Sequence, residues 1–177
     1  MVAEKSFSAI KAILFDIDGV LTDGSIVVGD DGLEIKSFYV RDGQLIRFMQ
    51  QMGIVFGAIS GRNSTAAEKR MKDLKIDFVR LGQKNKREAW KSFLREFSVS
   101  AEKVIYIGDD VIDLPLLQKA GISVCPGDAS KWVKPYCDLI TSSKGGKGVL
   151  REVIDLVIEK NGWQTDMAQY FAYQEKR

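Results

Sequence analysis

Six short apolar runs recur along the chain: Ala12–Phe15, Val55–Ile59, Phe78–Leu81, Val104–Ile107, Ile122–Cys125 and Leu139–Ile140. They have few polar interruptions, the pattern of strands covered on both faces. Between them, apolar residues fall three and four apart, as on helices. Leu45, Ile46, Phe48, Met49 and Met52 share a face of Gly43–Met52. Asn63 is placed to cap a helix running to Leu74. Asn85 is placed to cap another, with Ala89, Trp90, Phe93, Leu94 and Phe97 as its stripe. Pro115 suits the first turn of a helix over Asp113–Ala120. In Val149–Lys160, Leu150, Val153, Ile154, Val157 and Ile158 face one way, and Asn161-Gly162 ends the helix. Strand alternating with helix predicts an α/β fold built on a mainly parallel sheet.

Residues 24–40, GSIVVGDDGLEIKSFYV, break this alternation. Two β-prone runs flank Gly29-Asp30-Asp31-Gly32, which predicts a β-hairpin standing outside the main sheet. The tail, 163–177, is polar with scattered aromatics and is expected to fray or to dock on a partner. No repeat or linker interrupts the chain, so a single domain over residues 1–177 is expected.

Composition narrows the class. The chain has 177 residues, 45% of them hydrophobic, enough for one domain with its own core. Lys and Arg total 26 and Asp and Glu total 24, a net charge of +2 that favours neither nucleic acid nor a membrane surface as partner. No apolar run approaches the ~18 residues of a membrane span. Only two cysteines, Cys125 and Cys137, are present and no signal-peptide pattern opens the chain, so a cytoplasmic protein is expected. Histidine is absent. Ser-His-Asp triads, Cys-His dyads and His-ligated zinc are thereby excluded. Acid–base work falls to carboxylate, lysine or tyrosine, and any metal would be held mostly by oxygen, which favours magnesium or calcium.

Four polar clusters each follow an apolar run. Asp16 and Asp18 follow the first, Ser60-Gly61-Arg62 the second, Gly82-Gln83-Lys84-Asn85-Lys86 the third, and Gly108-Asp109-Asp110 with Asp113 the fourth. In an open parallel sheet these C-terminal strand ends lie on one edge, where ligands bind. Asp16, Asp18 and Asp109 can together offer oxygens to one Mg2+, which relieves the repulsion between close carboxylates. With Ser60 and Lys86 the set suits a phosphate. One aspartate can attack phosphorus, and another can protonate the leaving oxygen and then activate water. Each piece alone has a plainer reading: Asp-x-Asp-Gly as a turn, Ser-Gly as a turn, the lysines as a solvated helix start. Only the order, each cluster after a strand, lifts them above that. EF-hand, P-loop and cysteine-phosphatase signatures are absent at the positions where they would have to stand.

The series Asp16-Ile17-Asp18-Gly19-Val20-Leu21-Thr22, Ser60, Lys86 and Gly108-Asp109-Asp110 with Asp113 resembles the haloacid dehalogenase phosphatase superfamily. Asp23-Gly24, the hairpin, Val40-Arg41-Asp42-Gly43, Ser60-Gly61-Arg62, Gly82-Gln83-x-Asn85-Lys86 and Gly145-Gly146-x-Gly148 narrow the resemblance to 3-deoxy-D-manno-octulosonate 8-phosphate (KDO 8-phosphate) phosphatases. It covers residues 10 to 160. The resemblance implies a Rossmann-like α/β fold with a β-hairpin flap and no cap domain. It implies Asp16 as nucleophile, Asp18 as general acid/base, and Ser60 and Lys86 on the phosphoryl group. Mg2+ would be bound by Asp16, Asp109 and the Asp18 backbone carbonyl, with Asp110 and Asp113 behind them. Tyr39, Val40, Arg41, Asp42, Gly43, Arg47, Arg62 and Arg70 are the implied substrate contacts. The implied partners are a sugar acid phosphate and three further copies of the chain, a homotetramer assembled through the hairpins in which a neighbour covers each site. Relatives acting on nine-carbon acid phosphates tend to carry glutamate where Arg62 stands. The chain departs from the family pattern at Ser60, more often Thr, and at Gln44, more often aromatic. Two readings outside this substrate class remain: a phospho-accepting receiver domain and an inactive scaffold.

Overall fold

The computed structural model describes residues 7–174. In chain order its elements are β1 (Ala12–Phe15), β2 (Val27–Val28), β3 (Glu34–Ile35), α1 (Val40–Gln44), α2 (Ile46–Gln51), β4 (Val55–Ile59), α3 (Thr65–Asp73), β5 (Phe78–Arg80), α4 (Lys86–Glu96), β6 (Val104–Ile107), α5 (Leu114–Leu117), β7 (Ile122–Cys125), β8 (Leu139–Ile140), α6 (Val149–Asn161) and α7 (Gln164–Gln174). Short 3-10 turns fill several of the connections.

The sheet order is β5-β4-β1-β6-β7-β8, with every pairing parallel. Strand β1 is central, its Ala12 opposite both Val55 and Val104. The chain first builds outward to β5 and then crosses to the other side of β1. The strand order therefore reverses at β1, and that reversal opens the crevice in which doubly wound sheets bind ligands.

Successive residues of β1 serve opposite faces, as the twofold period of a strand requires. Ile13 and Phe15 join a core with α2, α3 and α6, while Ala12 and Leu14 join a second core with α4 and α5. Both faces are thus apolar, which is why the strands read as nearly continuous hydrophobic runs.

Four local expectations need correction. The predicted helix Gly43–Met52 starts earlier and is broken at Leu45 into α1 and α2. Gly43 weakens the first piece as a helix but lets it approach α3: a Cβ there would lie 2.4 Å from Leu74 Cδ2. The cap of α3 is Ser64, not Asn63, because the Ser64 hydroxyl accepts from Ala67 N at 3.4 Å. Strand β5 stops at Arg80, one residue short of the predicted end, and the helix after Asp113 stops at Leu117. The Asn85 cap of α4 and the Gly162 end of α6 stand as predicted.

The tail is helical rather than frayed as far as Gln174; residues 175–177 lie outside the described residues. Trp163, Met167 and Tyr170, spaced four and three apart, pack on the core of α2 and α6. The Tyr170 ring lies 5.6 Å from that of Phe48. The hairpin forms, but with strands of only two residues, paired Val27 to Ile35 and Val28 to Glu34. Ile26, Val27, Val28, Leu33 and Ile35 are each more than half exposed. No helix among the described residues is long and apolar enough to cross a membrane.

Candidate active site

Backbone turns aim the polar residues that follow β1. Asp16 N still donates along the sheet, to Ile107 O at 2.9 Å. Ile17 O then accepts from Val20 N, Leu21 N and Thr22 N, winding residues 17–22 into a tight turn. Gly19 within it has φ +81°, and a Cβ there would sit 2.1 Å from Asp109 Oδ2. The positive φ favours glycine, and any side chain there would also push the Asp109 carboxylate, from the loop after β6, out of its place beside the turn. The loop after β8 packs on the same turn, Gly146 N donating to Val20 O at 3.0 Å.

The four polar clusters meet. Asp16, Asp18, Gly24, Ser60, Gly61, Arg62, Asp109, Asp110 and Ile112 line an open cleft of about 310 Å³ at the C-terminal edge of the sheet. Lys86, from the first turn of α4, enters from beneath: its Nζ lies 2.8 Å from Asp16 Oδ2 and donates to Asp113 Oδ1 at 2.7 Å. A larger hollow, about 530 Å³, lies between α3 and β5, but its charged residues Glu68 and Lys72 do not converge with any of these groups.

Asp16, Asp109 and Asp113 each bring a carboxylate oxygen within 4.8 Å of the others. Asp113 is fully committed. Its Oδ1 accepts from Lys86 Nζ and from Tyr106 O–H at 2.6 Å, and its Oδ2 accepts from Asp109 N at 3.1 Å and Asp110 N. The Asp109 carboxylate accepts no hydrogen bond among the described residues, and Asp16 Oδ1 accepts only from Ile17 N at 2.7 Å. The open donors are therefore Asp16 and Asp109, with Asp113 holding Lys86 and the Asp109 backbone in place. Asp110 faces solvent and caps the 3-10 turn at Val111–Asp113.

Three carboxylates against one lysine leave an excess of negative charge. Burial, then the Asp113 charge, raise Asp16 to a pKa of about 7, with Lys86 pulling the other way. Burial, then Asp113, Asp16 and Asp110, raise Asp109 to about 8. Burial disfavours the Lys86 charge, but Asp16 and Asp113 outweigh it and hold its pKa above the ordinary lysine value. Unsatisfied carboxylates of raised pKa fit a hard divalent cation, which compensates the charge that water no longer reaches.

With Asp16 and Asp109 raised, the folded chain binds more protons than the unfolded one from their ordinary range up to about pH 8. Metal-free stability therefore falls as pH rises through that window. Burial lifts Asp42 to about 6 and Glu34 is lowered to about 2, so above pH 6.5 neither interferes strongly. In a chelator the unfolding temperature should drop by roughly 3–8 °C between about pH 6.5 and about pH 8.5. Magnesium should raise it more at the higher pH, where no proton has to leave. A flat profile, or a larger magnesium shift at the lower pH, contradicts this electrostatic picture.

The sequence-derived substrate contacts divide. Arg62 lines the cleft. Tyr39, Val40, Arg41, Asp42, Gly43, Arg47 and Arg70 do not line it in this chain. Asp42 is buried, with Oδ1 accepting from Arg151 N at 2.9 Å in the first turn of α6. Arg47 pairs with Gln50 on the surface, and the Arg70 guanidinium lies 5.8 Å from the Phe38 ring centroid. Three residues at the site were missed: Glu34, Lys36 and Tyr106. Lys36 ion-pairs with Asp18 and Glu34 with Arg62, so the hairpin reaches the cleft of its own chain. The spacing Glu34-x-Lys36 on a strand, which puts both on one face, was the available signal. For Tyr106 it was a lone hydroxyl in an otherwise aliphatic buried run.

A parallel sheet reversing at β1, with carboxylates on two neighbouring strand ends and a buried lysine between them, defines a hydrolase of the haloacid dehalogenase type. A family profile described as haloacid dehalogenase-like hydrolase matches residues 81–153. The chain belongs to that superfamily and, within it, to the family of 3-deoxy-D-manno-octulosonate 8-phosphate phosphatases. It is 40% identical over 153 residues to the enzyme of that name from Escherichia coli (strain K12), covering 86% of this chain and 81% of the relative. It is 38% identical over 170 residues to the Haemophilus influenzae enzyme, covering 95% and 94%. The crystal structure of the Moraxella catarrhalis phosphatase, in complex with magnesium, phosphate and KDO, superimposes with a TM-score of 0.89 at 32% identity, covering 93% of this chain and 95% of that one.

Proposed function

We propose that this chain is a magnesium-dependent phosphatase that hydrolyses 3-deoxy-D-manno-octulosonate 8-phosphate to KDO and inorganic phosphate. The observation that carries the reading is the convergence of Asp16, Asp18, Ser60, Lys86 and Asp109 on one sheet edge, in a chain whose relatives carry that name.

Asp16 is the nucleophile. Its oxygen bonds to phosphorus as the bond from phosphorus to the sugar oxygen breaks, giving an aspartyl phosphate. Asp18, once it carries a proton and is released from its ion pair with Lys36, donates that proton to the departing sugar oxygen. It then takes a proton from the water that attacks phosphorus and frees Asp16. Lys86 and Ser60 hold non-bridging oxygens of the phosphoryl group. Asp16, Asp109 and the Asp18 carbonyl would hold the magnesium, which supplies Lewis-acid stabilisation of phosphoryl charge when bound. Arg62 offers a planar guanidinium to the carboxylate of the sugar acid.

The assembly is a homotetramer of single-domain chains joined through their hairpins. The exposed apolar residues Ile26, Val27, Val28, Leu33 and Ile35 support this. Tyr39, Val40, Arg41, Gly43, Arg47 and Arg70 then serve a neighbour's cleft rather than their own, while Asp42, buried against the first turn of α6, fixes their segment instead of touching substrate. We place the protein in the cytoplasm, where its two free thiols stay reduced.

The test is phosphate release from KDO 8-phosphate and from nine-carbon acid phosphates, with magnesium and after chelation. The eight-carbon substrate should be turned over fastest, and chelation should stop it. Preference for a nine-carbon substrate, or no turnover of any, sinks the assignment. Light scattering that returns the mass of one chain would refute the tetramer.

A further inference from the structure

Four side chains of alternating charge run from the cleft floor up into the hairpin. Lys36 ion-pairs with Asp18, its Nζ lies 2.8 Å from Glu34 Oε1, and Glu34 Oε2 accepts from Arg62 Nη2 at 2.6 Å. The links are unequal. The Lys36 side chain is 1% exposed and donates to Asp18. Glu34 Oε1 is buried close to that ammonium yet accepts no aligned hydrogen bond. At the far end the Arg62 side chain is 46% exposed. Lys36 is thus committed to Asp18, whereas Glu34 holds Arg62 by a contact that solvent reaches and another carboxylate can replace.

Arg62 lines the cleft, while Glu34 already occupies Nη2, one arm of the fork with which an arginine grips a carboxylate end-on. We propose that Glu34 is a built-in stand-in for the substrate carboxylate, which must displace it from Arg62 on binding. Glu34 thereby sets a threshold for recognition: an anionic sugar acid exchanges for it, and a neutral sugar has nothing to exchange. The inference rests on the reading of Arg62 as the residue that binds the sugar acid.

The experiment is calorimetric binding of KDO itself to the full chain with magnesium, for wild type, Glu34→Gln, Arg62→Met and the double variant. Glu34 lies on the exposed hairpin, outside both cores. Glutamine keeps its size, and thermal unfolding confirms that each variant is folded. Glu34→Gln should tighten binding about two- to fivefold, the worth of one partly exposed ion pair. On the Arg62→Met background the same change should have no effect. Unchanged or weaker binding in Glu34→Gln, a gain that persists without Arg62, or no binding in any form overturns the stand-in. Loss of binding in Arg62→Met with no gain in Glu34→Gln refutes the stand-in but leaves the reading of Arg62 intact. Wild-type affinity in Arg62→Met refutes the reading of Arg62 itself.

Discussion

Asp16→Asn is expected to lower phosphate release by about four orders of magnitude or more, the scale seen when a covalent nucleophile is removed. The same variant should be more stable than wild type when magnesium is absent. Asparagine keeps the acceptor for Ile17 N, which now lies 2.7 Å from Asp16 Oδ1. It removes one of three carboxylates that crowd within 4.8 Å. Asp16 has its pKa raised to about 7 despite Lys86, so its ionised form is disfavoured in the fold at neutral pH. Replacing it with a neutral isostere should raise metal-free stability at about pH 8 by a few kcal/mol, on the order of 1–3 after the lost Lys86 attraction is counted. Urea unfolding in a chelator measures this. If Asp16 is one of the ligands proposed above, magnesium should then stabilise the variant less than it stabilises wild type. Opposite movement of activity and stability separates this residue from one that merely supports the fold. Activity within tenfold of wild type removes Asp16 from the chemistry, and a destabilised variant shows that repulsion is not what the cluster stores.

The sheet was legible because it is covered on both sides. Runs such as Ala12–Phe15 and Val104–Ile107 admit no charged residue, and five of the six strands end where the apolar run ends. The convergence of Asp16, Ser60, Lys86 and Asp109 needed only their places after strands, because parallel topology fixes which edge those places share. What stayed hidden depends on side chains meeting across the fold. Ser64 displaces Asn63 as the cap of α3 through a choice between adjacent polar residues that periodicity does not resolve. The resemblance implies Asp42 as a substrate contact, yet it caps a helix more than a hundred positions later in the chain. Glu34 and Lys36 can share one face of a strand, but nothing in residues 24–40 shows which way the hairpin leans. The tail read as polar because its core contacts come from a few scattered residues, Trp163 just before α7 and Met167 and Tyr170 on it. In each case the local pattern was compatible with several partners, and tertiary packing selected one.

The same three carboxylates make Lys86 the residue whose loss should be felt most widely. Its Nζ is buried between Asp16 and Asp113, and Tyr106 shares the Asp113 oxygen that it reaches. Lys86→Met preserves most of the buried stem and deletes the charge together with the N–H that Asp113 accepts. Breaking a buried pair leaves uncompensated carboxylates, so metal-free stability at about pH 8 should fall by about 3–5 kcal/mol in urea unfolding. The cost should shrink at about pH 5.5, where Asp16 and Asp109 take up protons and the repulsion fades. Magnesium should recover part of the stability at the higher pH, since a divalent charge beside Asp16 and Asp109 does some of the work of the ammonium. It should not recover turnover, which is expected to fall by about 10²–10³ or more, because a phosphoryl oxygen loses the cation aimed at it. The two readouts separate the roles. Stability that depends on pH and magnesium, with activity lost throughout, marks Lys86 as both the counter-ion of the cluster and a group acting on the substrate. A stability loss equal at both pH values and indifferent to magnesium reduces it to packing, and recovered turnover at saturating magnesium removes it from contact with the phosphoryl group.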